Sequence, residues 1–316
     1  MMRRREFALS VAAALALPFE VRAQQQAPRI GLLRLAPLDP TGRFLAAVGA
    51  GLKARGLRLL VVDASGGSDR LSAAARQLVA QKPDVVITFG DPSTRAMQQA
   101  TTSIPIVAMT DDMVRSGLVA SLAQPGGNTT GLSILTSELD VKRLELLHEA
   151  VPQATRIGIL EDRSTVQTRS RLEEAAPRLG VELVIADFGS FDEVARAADR
   201  IGASGVGAVN VLATPLIGLS DIDQVIDRFN HAGLPAIYQW PEFANRGGFL
   251  GYGPDLEACY RQVAGIAERV LRGAKPGDVP VEQPTKFDLT INMKTAEALG
   301  LTVPQLLLAQ ADEVIE

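Results

Sequence analysis

From Arg29 onward, short runs rich in Val and Ile alternate with longer stretches whose apolar residues recur at helical spacing. A short apolar run between turn residues is a strand buried on both faces, and a helix between two such strands makes them run parallel. The alternation therefore commits the chain to an α/β fold built from strand-helix-strand units. Strands are predicted at Arg29 to Leu35, Leu59 to Asp63, Asp84 to Gly90, Ile104 to Thr110 and Asn128 to Leu135. Helices are predicted between them: one carrying Phe44, Leu45, Val48 and Leu52 up to Gly56, then Asp69 to Gln81, Pro92 to Thr101 and Arg115 to Ala123. A second series starts with a helix carrying Val141, Leu144, Leu147 and Val151. Strands Arg156 to Leu160, Val181 to Phe188, Ala208 to Ala213, Pro235 to Tyr238 and Gly248 to Tyr252 follow it. Two series in 316 residues imply two lobes, each a doubly wound parallel sheet with helices on both faces. After Asp255 come a long helix to Gly273, a Lys275-Pro276-Gly277 break, a strand at Asp288 to Ile291 and a helical tail.

The first residues bear on compartment. Arg3, Arg4 and Arg5 precede an apolar run from about Phe7 to Leu17, the layout of an export signal. That run is too short to cross a bilayer, and Pro18 and Glu20 break it. Val21 and Ala23 fit the small-residue positions of a signal-peptidase site, so residues 1–23 are expected to be removed and the mature chain to be periplasmic. Arg4-Arg5-Glu6-Phe7 also resembles a twin-arginine signal, so the Sec and Tat routes both stand. A net charge of −4 gives no basic footprint, which argues against a nucleic-acid partner. One cysteine and two histidines build neither an internal disulfide nor a Cys/His metal cluster.

In open α/β sheets ligands bind beyond the carboxyl ends of the strands. Asp91-Pro92-Ser93-Thr94 follows one strand, and Glu161-Asp162-Arg163-Ser164-Thr165 follows another. Each places short hydroxyl or acidic side chains at a helix start, where free N–H groups and the macrodipole favour an anion. Ser93, Thr94, Ser164 and Thr165 are therefore candidates to hold a ligand carboxylate, and helix capping is the plainer role for each. Asp111 and Asp112 follow the strand ending at Thr110 and are candidates for a ligand ammonium, or else are solvated loop acids. Tyr238 and Trp240 offer ring faces in a chain with 4% aromatic residues, and Ala213-Thr214 offers a small polar edge. No GxSxG, Walker A or GxGxxG motif occurs, so neither a catalytic set nor a cofactor is expected. His148 and His231 fall late in predicted helices, as capping residues would, and Cys259 reads as a buried small hydrophobe.

Three stretches carry a resemblance. Gly117 to Gly131 reads GLVASLAQPGGNTTG, close to a GLVxSLAxPGGNxTG signature. Gly247 to Asp255 reads GGFLGYGPD. The tail holds PVEQPTKF from Pro280 to Phe287, then Ile291-Asn292 and ALGLTVP from Ala298 to Pro304. On these stretches the chain resembles periplasmic substrate-binding proteins of ABC importers, and more narrowly the family whose better-known members bind tryptophan or tyrosine. The resemblance implies a type I periplasmic binding protein fold, with two lobes joined by a three-crossover hinge that closes on ligand. It divides the chain into residues 28–134 plus 254–277 and residues 135–253 plus 278–316.

The resemblance places ligand loops at Asp91, Pro92, Ser93 and Thr94, at Asp111 and Asp112, at Ser164, Thr165 and Val166, at Ala213 and Thr214, and near Tyr238. Arg34 and Leu35 occupy the first-strand loop, where the arginine favours an anionic ligand. The expected partners are a small carboxylate-bearing molecule and an ABC permease in the inner membrane, with the binding protein a monomer. A ligand sensor serving a membrane receptor is the alternative from another class. An exported α/β hydrolase or glycosyltransferase is the third.

Overall fold

The computed structural model describes residues 27–34, 46, 58–64, 68–163, 169–214, 216–217 and 222–316. The signal segment, the helix from Phe44 to Gly56 apart from Ala46, and the candidates Leu35, Ser164, Thr165 and Val166 lie outside the described residues.

The first sheet contains β1 (Arg29–Arg34), β2 (Arg58–Asp63), β3 (Val85–Phe89), β4 (Ile106–Thr110) and β5 (Thr129–Ser133). All its pairings are parallel, in the order β2-β1-β3-β4-β5. Helices α1 (Ser68–Ala80) and α2 (Asp91–Ala100) make connections over it. The second lobe runs α3 (Asp140–Ala150), β6 (Arg156–Asp162), α4 (Arg169–Leu179), β7 (Glu182–Phe188), α5 (Phe191–Gly202), β8 (Ala208–Val211), α6 (Ile222–His231), β9 (Ala236–Tyr238), α7 (Pro241–Asn245) and β10 (Leu250–Gly253). Its strands pair as β7-β6-β8-β9-β10, the same winding as the first sheet, with the order reversing between β6 and β8 as it does between β1 and β3. The doubly wound α/β expectation holds in both lobes. The strands alternate with helices because runs such as Val85-Val86-Ile87 are fully buried between helix layers, while α5 and α6 each bury one apolar stripe.

Three crossings join the lobes. The first leaves β5 through Leu135 and a 3₁₀ turn at Thr136–Leu139 into α3. The second leaves β10 and enters α8 (Leu256–Leu271), which packs against β3, β4 and β5 of the first lobe. The third falls after Glu282 rather than at residue 278. Glu282 donates its amide to the Gly131 carbonyl at 2.9 Å and accepts from the Ser133 amide at 2.9 Å, so at Glu282 the chain still bridges the first sheet. The chain then forms β11 (Asp288–Asn292), antiparallel to β10, followed by α9 (Met293–Ala298), α10 (Gln305–Gln310) and β12 (Glu313–Ile315).

Two expectations need correcting. Arg115 to Ala123 is not a helix but a succession of turns. Asp112 Oδ1 takes the Val114 and Arg115 amides at 3.1 and 2.9 Å, and Gly117 adopts φ 65°. A side-chain-capped turn followed by a left-handed residue gives the backbone an alternative to helix. The end of the tail is also not helical, because Val314 and Ile315 pair with Ile291 and Asn292 as an added edge strand.

The sequence signatures prove to be packing devices. The Asn128 amide donates to the Thr101 and Ile104 carbonyls at 3.1 and 2.8 Å, which fixes the turn entering β5. Gly131 has φ 151°, and a Cβ there would sit 1.9 Å from the Ala108 carbonyl oxygen. Asp255 caps α8 by accepting the Ala258 amide, and Asn292 caps α9 through the Thr295 amide at 3.0 Å.

Candidate ligand cleft

The carboxyl ends of the two sheets face each other. Leu216, in the loop after β8 of the second lobe, packs against the cluster of Leu33, Val62 and Leu71 in the first. The strand ends on either side of this contact supply the polar groups of the cleft.

In the first lobe, β3 ends at Phe89 and Gly90, where the backbone takes φ 77° before Asp91 and Pro92 open α2. Asp91 is half-buried; desolvation raises its pKa above the ordinary carboxylate range, and the Ser116 side chain offsets that in part. Ser93 is fully buried, and its hydroxyl has no hydrogen-bond partner. Thr94 faces inward: its hydroxyl donates to the Gly90 carbonyl at 2.9 Å and lies 2.8 Å from the Thr88 hydroxyl. This is a helix-start contact within the lobe.

The two acids after β4 are already committed. Asp111 accepts from the Thr136 hydroxyl and the Ser137 amide, each at 2.9 Å, and from the Ser137 hydroxyl, so its carboxylate caps the 3₁₀ turn of the first crossing. Asp112 caps its own turn and lies 3.1 Å from Arg115. Each carboxylate thus spends three contacts on its own neighbours, which leaves it little acceptor capacity for a ligand ammonium and gives it a structural role at the turn.

In the second lobe, β6 runs two residues past its predicted end and carries Glu161 and Asp162, both buried. Successive strand residues point to opposite faces. Glu161 pairs with Arg169 on α4, whereas Asp162 accepts from the Thr214 hydroxyl at 2.9 Å. The Thr214 amide in turn donates to Gln239 Oε1 at 3.1 Å. Asp162, Thr214 and Gln239 thus join the ends of β6, β8 and β9 in one polar array, with Ala213 beside it, buried at the close of β8.

Alternation also corrects the aromatic expectation. Tyr238 and Trp240 share a strand face turned into the core: Tyr238 meets Phe243 edge-on at 6.2 Å, and burial raises its hydroxyl pKa further. The residue between them, Gln239, is the one that reaches Thr214. Applying the period of two to Tyr238-Gln239-Trp240 would have found it from the sequence. Arg34 is the last residue of β1, in register with Asp63. His231 lies in the last turn of α6, with Nδ1 2.6 Å from the Asp227 carbonyl, and His148 ends α3. Cys259 is buried, and desolvation pushes its thiol up to about 12. Among the described residues no group of three or more His, Cys, Asp and Glu is placed to hold a metal ion, and no helix is long and apolar enough to cross a membrane.

The model of the ABC transporter substrate binding protein family matches residues 45–315. The chain belongs to that family. It is 32% identical over 234 residues to a tyrosine-binding protein of Clostridioides difficile (strain R20291), a stretch that is 72% of this chain and 66% of that protein. Among solved structures, a conserved domain protein from Vibrio cholerae superposes with a TM-score of 0.81 at 27% identity, covering 92% of this chain and all of the other. An ABC domain from Streptococcus pneumonia in complex with L-Trp gives a TM-score of 0.79 at 24% identity over the same share of each chain. A ligand-free, open substrate binding protein from Clostridium difficile, 22% identical and covering 92% of this chain and 99% of that one, gives 0.59. The fold is that of the type I periplasmic binding proteins.

Proposed function

We propose that this substrate-binding protein works in the periplasm as the solute-binding component of an ABC importer. It traps a small carboxylate-bearing molecule, an amino acid or an aromatic or organic acid, between its lobes, hands it unaltered to an inner-membrane permease, and catalyses no reaction. The observation that carries this reading is the convergence of strand ends from both lobes on one cleft, where Leu216 of the second lobe rests on the core of the first. Ligand groups held from both sides favour the closed arrangement over the open one, which is the differential binding that closure requires.

On the first lobe, Asp91 with Pro92, and Ser93 once the lobes part, present the start of α2 to the ligand; Arg34, Leu35, Ser164, Thr165 and Val166 are proposed to complete the site. On the second lobe, Asp162, Thr214 and Gln239 receive the ligand's donors. The test is a thermal-shift screen of the mature chain against L-tyrosine, L-tryptophan, aromatic acids, branched keto acids and dicarboxylates. A ligand at 100 times its Kd adds about 2.7 kcal/mol of stability. A hit recovered unaltered by mass spectrometry supports the reading, and a hit that is chemically converted overturns it.

A further inference from the structure

A fully buried ion pair lies at the root of the crossings. Arg143 on α3 is 0% exposed and Asp140 is 1% exposed. The Arg143 guanidinium donates from Nη1 to the Thr136 carbonyl at 3.0 Å and to the Asp140 carboxylate. From Nε it donates to the Tyr252 carbonyl at 2.8 Å. Thr136 belongs to the first crossing, and Tyr252 stands in β10 immediately ahead of the second. One planar, rigid cation therefore ties the first crossing to the end of β10, just ahead of the second. Asp140 is anchored in its turn, because the Asn210 side chain of β8 donates to its carbonyl at 3.1 Å. Gly253, next to Tyr252, lets β10 pass close to the end of β9: a Cβ there would lie 2.1 Å from the Gln239 carbonyl oxygen.

Burying such a pair is expensive. Desolvation pushes Asp140 up to about 7 and lowers the Arg143 pKa, the mark of charges poorly repaid for leaving water. A buried pair of this kind is weak evidence for added stability, and its best-attested use is fixing one arrangement among several. Lysine would not replace the arginine, since a single ammonium lacks the fork that reaches two carbonyls and a carboxylate in fixed directions.

We propose that Arg143, held in place by Asp140, is a hinge pin that makes the first and second crossings bend together, so that the lobes swing as rigid bodies between two positions. The inference rests on the reading of a cleft that opens and closes, and it goes beyond that reading by naming the part that disciplines the motion. The test uses the mature chain without ligand, carrying spin labels at Arg76→Cys on α1 and Glu174→Cys on α4, both exposed, with the buried Cys259 changed to Ala. Pulsed electron-electron resonance then reads the distance distribution between the lobes. The parent should give one or two narrow populations.

Arg143→Met should broaden that distribution and shift its mean while circular dichroism stays native. Arg143→Lys, which keeps the charge but not the fork, should broaden it as well. A parent-like width in a folded methionine variant overturns the pin. If the methionine variant does not fold, a parent-like width in the lysine variant overturns it instead. A separate arm adds L-tyrosine, L-tryptophan and the other screened acids to the parent. If none of them shifts the distances, closure on ligand fails as a reading, whereas unchanged width in the variants counts against the pin alone.

Discussion

Asp111 follows the fourth strand of the first sheet and Asp162 ends the first strand of the second, and the first five strands of each sheet wind alike. Their surroundings make them different tools. Asp111 has both oxygens taken by Thr136 and Ser137 and serves the hinge, while Asp162 sits in a polar array with Thr214 and Gln239 at the facing strand ends. Position at a strand end tells which residues can reach a cleft, and the partners each acid takes decide which part of the molecule it serves.

Breaking the two acids one at a time should separate the roles. Asp111→Ala strands the Ser137 amide and the two hydroxyls, and is expected to cost about 2–3 kcal/mol in urea unfolding, the largest effect of this set. Asp162→Asn keeps the shape and an acceptor for Thr214, so the same measurement should change by less than about 1 kcal/mol. Calorimetric affinity for the ligand found in the screen should instead fall about tenfold or more with this variant. If Asp162→Asn leaves affinity intact while Asp111→Ala abolishes it without unfolding the chain, the assignment is reversed.

The strands, their doubly wound order and the buried cysteine could be read from the sequence because apolar periodicity reports burial directly. The fate of the acids could not. Asp111 reads as a loop acid until the crossing that it caps is placed 25 residues further on. The Asp140–Arg143 pair has the i, i+3 spacing of an ordinary helix-surface pair, and nothing local shows that β8 and β10 enclose it. The turns after Asp112 defeated the helical pattern because the Asp112 carboxylate takes the Val114 and Arg115 amides and Gly117 turns left-handed. Gln239 is legible through strand alternation, on the opposite strand face from its two aromatic neighbours.

A third acid sharpens the contrast between hinge and cleft. Glu242, at the start of α7, accepts the Leu256 amide at 2.7 Å where the second crossing enters α8. Desolvation pushes it up to about 7 from an ordinary 4.5. The folded chain therefore takes up this proton more readily than the unfolded chain. Its stabilising contribution is full below about 4.5 and is lost as pH rises through 7. Glu242→Gln should flatten this part of the Tm profile and leave the variant more stable than the parent at pH 8, by about 1–2 kcal/mol. An unchanged pH profile would remove Glu242 from the account.

The smallest effect is expected outside. Glu138 lies 2.9 Å from Arg115 and 3.7 Å from Arg171 across the outer side of the first crossing, with all three side chains well exposed. Glu138→Ala should change stability by no more than about 0.5 kcal/mol and change affinity negligibly, because water and salt screen such pairs. A loss comparable to that of Asp111→Ala would mean that the outer ion pairs, and not the inner cap, hold the hinge.

The central claim is that the facing strand ends close on a carboxylate-bearing small molecule. Isothermal titration of the mature chain with L-tryptophan, its decarboxylated analogue tryptamine and its deaminated analogue indole-3-propionate tests it most directly, with the L-tyrosine series run in parallel. The account expects binding only from compounds that keep the carboxylate, with each ligand recovered unaltered. Tryptamine or tyramine binding as tightly as the parent amino acid would contradict it.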